Sequence, residues 1–326
     1  MTVNRSEFSR NGQWLELPLE ALNRFEPDAI AEVLQPLGAG SHPHEVRQRL
    51  LALGVFPAKW INRLFSVGGI RLERGIVGLL TFVPVDIKTD PIYQLAKHIG
   101  DPAALDRVSV LYEDDWCLVL DKPAGMPVHP NAPGQRGTLD EAAARRCMHI
   151  GDALPVKHIH RLDDDTAGPV LYAKNDLAQH VLDEAMREKR IDRHYEAIVH
   201  GKLARSRGTI NEPIGKDRHH GSRRRVSPSG DQAVTHYETL ASYKHASLLR
   251  LQLETGRTHQ IRVHLSHIGH PLVGDKLYGG RTELLAHQAL RGERLLFPHP
   301  LTDNKVSVKS AEPEWFRNLR QKLSAL

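Results

Sequence analysis

Cysteine is nearly absent: Cys117 and Cys147 are the two in 326 residues, and they form no Cys-x-x-Cys pair. That excludes a disulfide framework and a cysteine-based zinc site, and it fits a reducing compartment. Long apolar runs are missing too, and the polar segment from Met1 to Trp14 carries no signal-peptide core, so a cytoplasmic protein without membrane association is expected. Histidine is plentiful, with 20 residues, yet no His-Glu-x-x-His pattern occurs, and His219 and His220 are adjacent rather than a helical turn apart. No metal site is expected. Glycine-rich phosphate loops, internal repeats and low-complexity tracts are also lacking, which removes the common nucleotide-binding and solenoid architectures.

What is present suits an ordinary globular chain of about two domains, with 40% hydrophobic residues to fill its core. Lys and Arg number 44 against 39 Asp and Glu, a formal charge of +5 that leans toward polyanionic partners. No obligatory protein partner is evident, and a monomer is expected. A first module is read over residues 1–107. Within it Val46, Leu50, Leu51 and Leu53 lead to a turn at Gly54, residues 59–65 have helical character, and residues 68–75 suggest a strand between glycine turns.

The second region, residues 108–326, alternates element types. Residues 109–112 and 117–120 read as strands around an acidic turn; Thr138 with Glu141 makes a capping-box signature for a helix starting at Leu139. Residues 169–173 read as a strand, Asn175 or Asp176 as the cap of a helix running to about Lys189, and residues 193–199 as another strand. The runs 233–241 and 246–254 look like antiparallel neighbours. Together these predict an α+β domain with a mixed, mainly antiparallel sheet, preceded by a small α/β module.

Two segments carry chemistry. Residues 160–168, HRLDDDTAG, form an unusually polar loop before an apolar strand, where functional groups tend to sit. An isolated Asp163 would most simply be a solvated turn residue. Residues 256–265, GRTHQIRVHL, place a glycine turn before a helix rich in donors, with Ile261, Leu265 and Ile268 on its core-facing side and Arg262 off that seam. A glycine-rich return loop follows at 269–279.

These segments, with residues 193–195, 121–125 and 297–300, occur in the order expected of the RluA-type family of RNA pseudouridine synthases, and the chain is similar to that family over residues 108–314. The resemblance implies the pseudouridine synthase fold and an isomerase of RNA that acts with no cofactor, since rejoining a base through carbon involves no net redox change. It also implies that Asp163 is the catalytic aspartate, that Arg262 is its charge-stabilising partner, and that the ring of Tyr195 stacks on the uracil while its hydroxyl assists proton removal. Arg161 matches the residue that fills the space left by the flipped nucleotide. Asp164 and Ala167 depart from the family's usual basic residue and serine; an inward Asp164 would raise the Asp163 pKa, so Asp164 is expected to face solvent. Residues 44–87 loosely resemble a small RNA-binding domain shared with a ribosomal small-subunit protein.

Between Gly215 and Gly230 lies a cationic stretch with Lys216, Arg218, Arg223, Arg224 and Arg225, read as a mobile basic finger that neutralises RNA phosphates. The expected substrate is structured RNA, ribosomal RNA before transfer RNA. Two other readings compete: a non-catalytic RNA-binding or assembly protein, which would be expected to lose Asp163, Tyr195 or Arg262, and a glycoside hydrolase pairing Asp163 with Asp165.

Overall fold

The computed structural model describes residues 5–24, 36–97 and 108–325; the module boundary placed at residue 107 lies outside the described residues. The first sheet contains β1 (Ser9–Asn11), β2 (Trp14–Pro18), β3 (Ile70–Glu73) and β4 (Ile76–Leu80), all antiparallel in the order β1-β2-β4-β3. Arg74 and Gly75, at φ 51° and 76°, make the tight turn between β3 and β4. The helix Pro43–Leu53 has proline in its first turn, a capping box between His42 and Glu45, and Gly54 in the left-handed region at its end. It packs on the helix Ala58–Ser66 and on β3, burying Val46, Leu50, Trp60, Ile61 and Leu64.

A second antiparallel sheet holds β5 (Ser109–Glu113), β6 (Cys117–Lys122), β7 (Lys157–His158) and β8 (Gly168–Ala173), ordered β5-β6-β8-β7. Thr138 accepts the Glu141 N–H and starts the helix Leu139–His149; Glu141 accepts the Gly137 N–H rather than that of Thr138, so the reciprocal half of the expected capping box is displaced by one residue. Asn175 caps the helix Asp176–Arg187.

The third sheet is six-stranded: β9 (Asp192–His200), β10 (Arg207–Asn211), β13 (Val234–Ser242), β14 (Ala246–Leu253), β15 (Leu290–Pro298) and β16 (Lys305–Lys309), in the order β10-β13-β14-β9-β15-β16. The pair β11 (Ile214–Lys216) and β12 (Arg224–Val226) forms a separate hairpin. The named strands pair antiparallel, and a parallel bridge from Ala167 to Arg291 joins the second sheet to the third, which accounts for the mixed, mainly antiparallel character expected from sequence.

That junction depends on glycine. Gly168 has φ 135°, and a Cβ there would lie 2.7 Å from the Cα of Gly292. Two bare backbones therefore meet where side chains would hold them apart. The core is continuous across the first two sheets and into the third: Leu15, Leu17 and Val77 share one apolar cluster with Val119, Leu171 and Phe297. Among the described residues, no helix is long and apolar enough to cross a membrane.

Candidate active site

The loop carrying Asp163 leaves β7 and turns back into β8 through a hydrogen bond from the Thr166 N–H to the Asp163 carbonyl at 2.9 Å. Its side chains alternate: His160 and Leu162 are buried, Arg161 is exposed, and Asp163 is half-buried. His160 anchors the loop by accepting the Leu171 N–H at 3.3 Å. Burial, with the charges of Arg193 and His158, pushes its pKa down to about 3, so it stays neutral.

Lys122 supports the same loop from beneath. Its ammonium donates to the carbonyls of Pro123, Met126 and Asp164 at 3.0, 2.6 and 2.6 Å. Burial lowers its pKa to about 8, against the opposing charges of Asp164, Asp163 and Asp165. The Gly125 N–H also donates to the Asp164 carbonyl. Asp164 thus lends its backbone to the loop while its side chain is exposed, as expected. The Asp121–Gly125 segment noted in the sequence is therefore the underside of this loop.

Opposite stands the helix Gln260–His267. Its approach is polar because Gln260 stitches the turn to β13: its amide nitrogen donates to the Val234 carbonyl and to Thr235, both at 3.0 Å, and its oxygen accepts from Thr255 and the Arg257 N–H. Ile261 and Leu265 are buried and Ile268 packs against the same core, as the helical spacing predicts. Arg262 projects from the neighbouring face and is only 7% exposed.

Arg262 bridges two carboxylates. Its Nε and Nη2 donate to Asp275 at 2.7 and 2.8 Å, and its Nη1 donates to Asp163 Oδ2 at 3.2 Å. Burial opposes its charge, but the hydrogen bonds and charges of Asp275 and Asp163 outweigh that and hold its pKa above the ordinary value. Asp275 is 1% exposed, so this positive charge is fixed in place by a buried anion rather than by solvent.

Tyr195 comes from the centre of β9, paired with Leu251 on one side and Gly292 on the other. It is buried, and that burial, with the nearby Asp163 charge and against that of Arg193, raises its phenol pKa. Arg161, Asp163, Tyr195 and Arg262 line one cleft, together with Arg193, His259 and the turn at Gly256. Asp163 is the only carboxylate lining that cleft among the described residues, and Asp165 is not part of its wall. The spacing of paired carboxylates that a glycoside hydrolase needs is therefore not provided.

The basic stretch forms a hairpin in which Lys216 pairs with Arg224 and Gly215 with Arg225. Close backbone contact closes its base: a Cβ on Gly230 would collide with the Ile214 backbone, and the Ser227 N–H donates to the Pro213 carbonyl. Lys216, Arg218, Arg223 and Arg225 are exposed and Arg224 is half-buried. None of these five lines the cleft; the hairpin connects to it through Tyr278, whose hydroxyl accepts the Arg224 N–H at 2.9 Å and lies 2.8 Å from Nδ1 of the cleft residue His259.

Sequence reasoning did not single out Asp275, Tyr278, His259 or Lys122. Asp275 and Tyr278 sit in the glycine-rich return loop, and the polarity of that loop was the available signal; nothing in linear spacing ties Asp275 to Arg262.

Residues 116–267 match the RNA pseudouridylate synthase family. An uncharacterized RNA pseudouridine synthase of Bacillus subtilis is 48% identical over 214 residues, covering 65% of this chain and 71% of that one. A ribosomal large subunit pseudouridine synthase D of Pseudomonas aeruginosa is 41% identical over 226 residues, covering 64% and 69%. Among solved structures, human RNA pseudouridylate synthase domain containing 1 superposes with a TM-score of 0.56 at 26% identity, covering 66% of this chain and 87% of that one.

Proposed function

The chain belongs to the RNA pseudouridylate synthase family, isomerases that convert uridine to pseudouridine, and on that premise we propose that it modifies selected uridines of ribosomal RNA with Asp163 as the reacting carboxylate. One observation carries the assignment of the residue: Asp163 lies in a cleft against an arginine that is itself locked by a buried aspartate. A carboxylate serves whether it attacks the ribose carbon or takes a sugar proton, and Arg262 sets a guanidinium 3.2 Å from its Oδ2.

The reaction balances internally. The bond from ribose to base nitrogen breaks, a bond from ribose to base carbon 5 forms, the carbon-5 proton leaves, and the freed nitrogen gains a proton. Tyr195 offers the uracil a ring to stack on, and its raised pKa keeps the hydroxyl protonated, so at carbon 5 it passes a proton along rather than holding a charge. Arg161, exposed at the cleft beside Asp163, takes the place vacated by the flipped nucleotide.

The hairpin cations Lys216, Arg218, Arg223, Arg224 and Arg225 contact RNA phosphates, and residues 44–87 serve as an added RNA-binding module. Ribosomal RNA is favoured over transfer RNA by relatives named for the large ribosomal subunit. The non-catalytic alternative gains no support, since Asp163, Tyr195 and Arg262 are all present in one cleft.

Two measurements test the assignment. Mapping pseudouridine across total RNA with and without the chain should show sites lost from ribosomal RNA; losses confined to transfer RNA would refute the substrate. Asp163→Asn should abolish product while leaving fold and RNA binding intact, and retained activity would refute the role of Asp163.

A further inference from the structure

Tyr278 touches both the basic hairpin and the catalytic ion pair. Its hydroxyl oxygen accepts the backbone N–H of Arg224 at 2.9 Å and lies 2.8 Å from Nδ1 of His259. The Cζ of Arg223, from the hairpin, sits 5.6 Å from its ring centroid, and the Cζ of Arg262 sits 5.0 Å from it. The ring also meets the His259 imidazole edge-on, at 5.7 Å and 85°.

These contacts suit one tautomer. The Tyr278 oxygen accepts from Arg224, and the arrangement in which its proton is also used has the hydroxyl donate to Nδ1 of His259. A neutral imidazole whose Nδ1 accepts carries its own hydrogen on Nε2. That Nε2 faces Asp163 Oδ2 at 3.9 Å, the same oxygen that Arg262 contacts. Burial pushes the His259 pKa down against the charge of Asp163, in keeping with a neutral ring.

The backbone of His259 adds an independent sign. It caps the helix Gln260–His267 in the left-handed region, at φ 57° and ψ 22°. A residue with a Cβ is strained there, and such strain persists where the surroundings hold the residue in place. Neither a cap hydrogen bond from its side chain nor a glycine relieves it.

The geometry points to Tyr278 and His259 as a positioning relay between the basic hairpin and Asp163. Docking of β12 on the Tyr278 hydroxyl holds His259 with its Nε2–H toward Asp163. When RNA draws the hairpin onto the cleft, that N–H closes the remaining distance of about 1 Å to hydrogen-bond Oδ2, leaving the other carboxylate oxygen for the ribose. The relay rests on the reading of Asp163 as the reacting group and of the hairpin as an RNA contact.

Tyr278→Phe tests it, because the ring and its cation contacts remain while the hydroxyl is lost. Turnover on ribosomal RNA transcripts should fall about tenfold in kcat, as expected for one positioning hydrogen bond, with KM and the RNA Kd within twofold of the parent. A second pair guards against simple unfolding: His259→Gln keeps a side-chain N–H near the Nε2 position and should recover most of the activity that His259→Ala loses. A kcat within twofold in Tyr278→Phe, a loss carried by Kd alone, or glutamine no better than alanine would each overturn the relay. An unmodified chain that binds RNA yet makes no pseudouridine would overturn the proposed function itself, which separates the two failures.

Discussion

Replacing Asp275 with asparagine removes one negative charge from beneath the site and almost no volume. In the parent, Asp275 holds Arg262 through two hydrogen bonds of 2.7 and 2.8 Å, with the carboxylate 1% exposed. Taking the charge centres about 4 Å apart and an effective dielectric of about 20, their attraction is roughly 4 kcal/mol. Breaking a buried pair on one side costs about 3–5 kcal/mol, and because Asp163 remains as a second counter-charge the lower end applies, about 3 kcal/mol. Asparagine accepts one of the two guanidinium hydrogen bonds and sets an amide N–H against the other, so Arg262 shifts. A displacement of about 1 Å at a positioning group costs about a hundredfold in rate.

The expected result for Asp275→Asn is therefore a kcat lower by about a hundredfold with RNA affinity changed little, and a stability loss of about 3 kcal/mol in urea. Release of tritium from transcripts labelled at uridine carbon 5 reads the rate, since that hydrogen is lost in every turnover. A stability loss of that size with kcat within twofold would refute the claim that Asp275 acts through Arg262 on the chemistry. No change in either would refute the buried ion-pair chain.

Three further outcomes follow from the geometry. Gly168→Ala should destabilise the fold by about 2 kcal/mol or more in denaturant melts, because its Cβ would meet the Gly292 backbone at 2.7 Å in a conformation disfavoured for L-residues. Changing Lys216, Arg218 and Arg225 together to glutamine should weaken RNA binding and lower the slope of log affinity against log salt by roughly 2–3, with the cleft unaltered; an unchanged slope would place the RNA elsewhere. Lys122 has a folded-state pKa of about 8, below its usual value, so between about pH 8 and 10.5 the unfolded chain binds more protons than the folded one. Stability relative to Lys122→Met should therefore rise with pH across that window by at most about 1.4 kcal/mol per pH unit, and a flat difference would refute the lowering of the Lys122 pKa by burial.

Much of the local structure was legible because it depends on neighbours in the chain. Thr138, Asn175 and Gly54 cap helices by contacts within a few residues, and the strands flanking Asp114 and Tyr243 show as apolar runs between polar turns. The family was legible for a different reason: several short segments of unusual polarity keep one order, and the match over residues 116–267 agrees with that reading. The hairpin was less legible, since its base is closed by Gly230 meeting the backbone of Ile214 and Gly215 and not by any strand-like pattern among its arginines.

By itself, then, the sequence determined the element types and the family and offered Asp163, Tyr195, Arg262 and Arg161 as candidates, because caps, periodicities and ordered motifs are written in residues close along the chain. Only the tertiary structure decided what Arg262 is tied to. Asp275 on a return loop, Asp163 on a turn 99 residues before Arg262, and Tyr278 under the hairpin become neighbours when Gly168 and Gly292 let two sheets close against each other. A charge pair formed across such a closure depends on distances in space, which no spacing in the chain encodes.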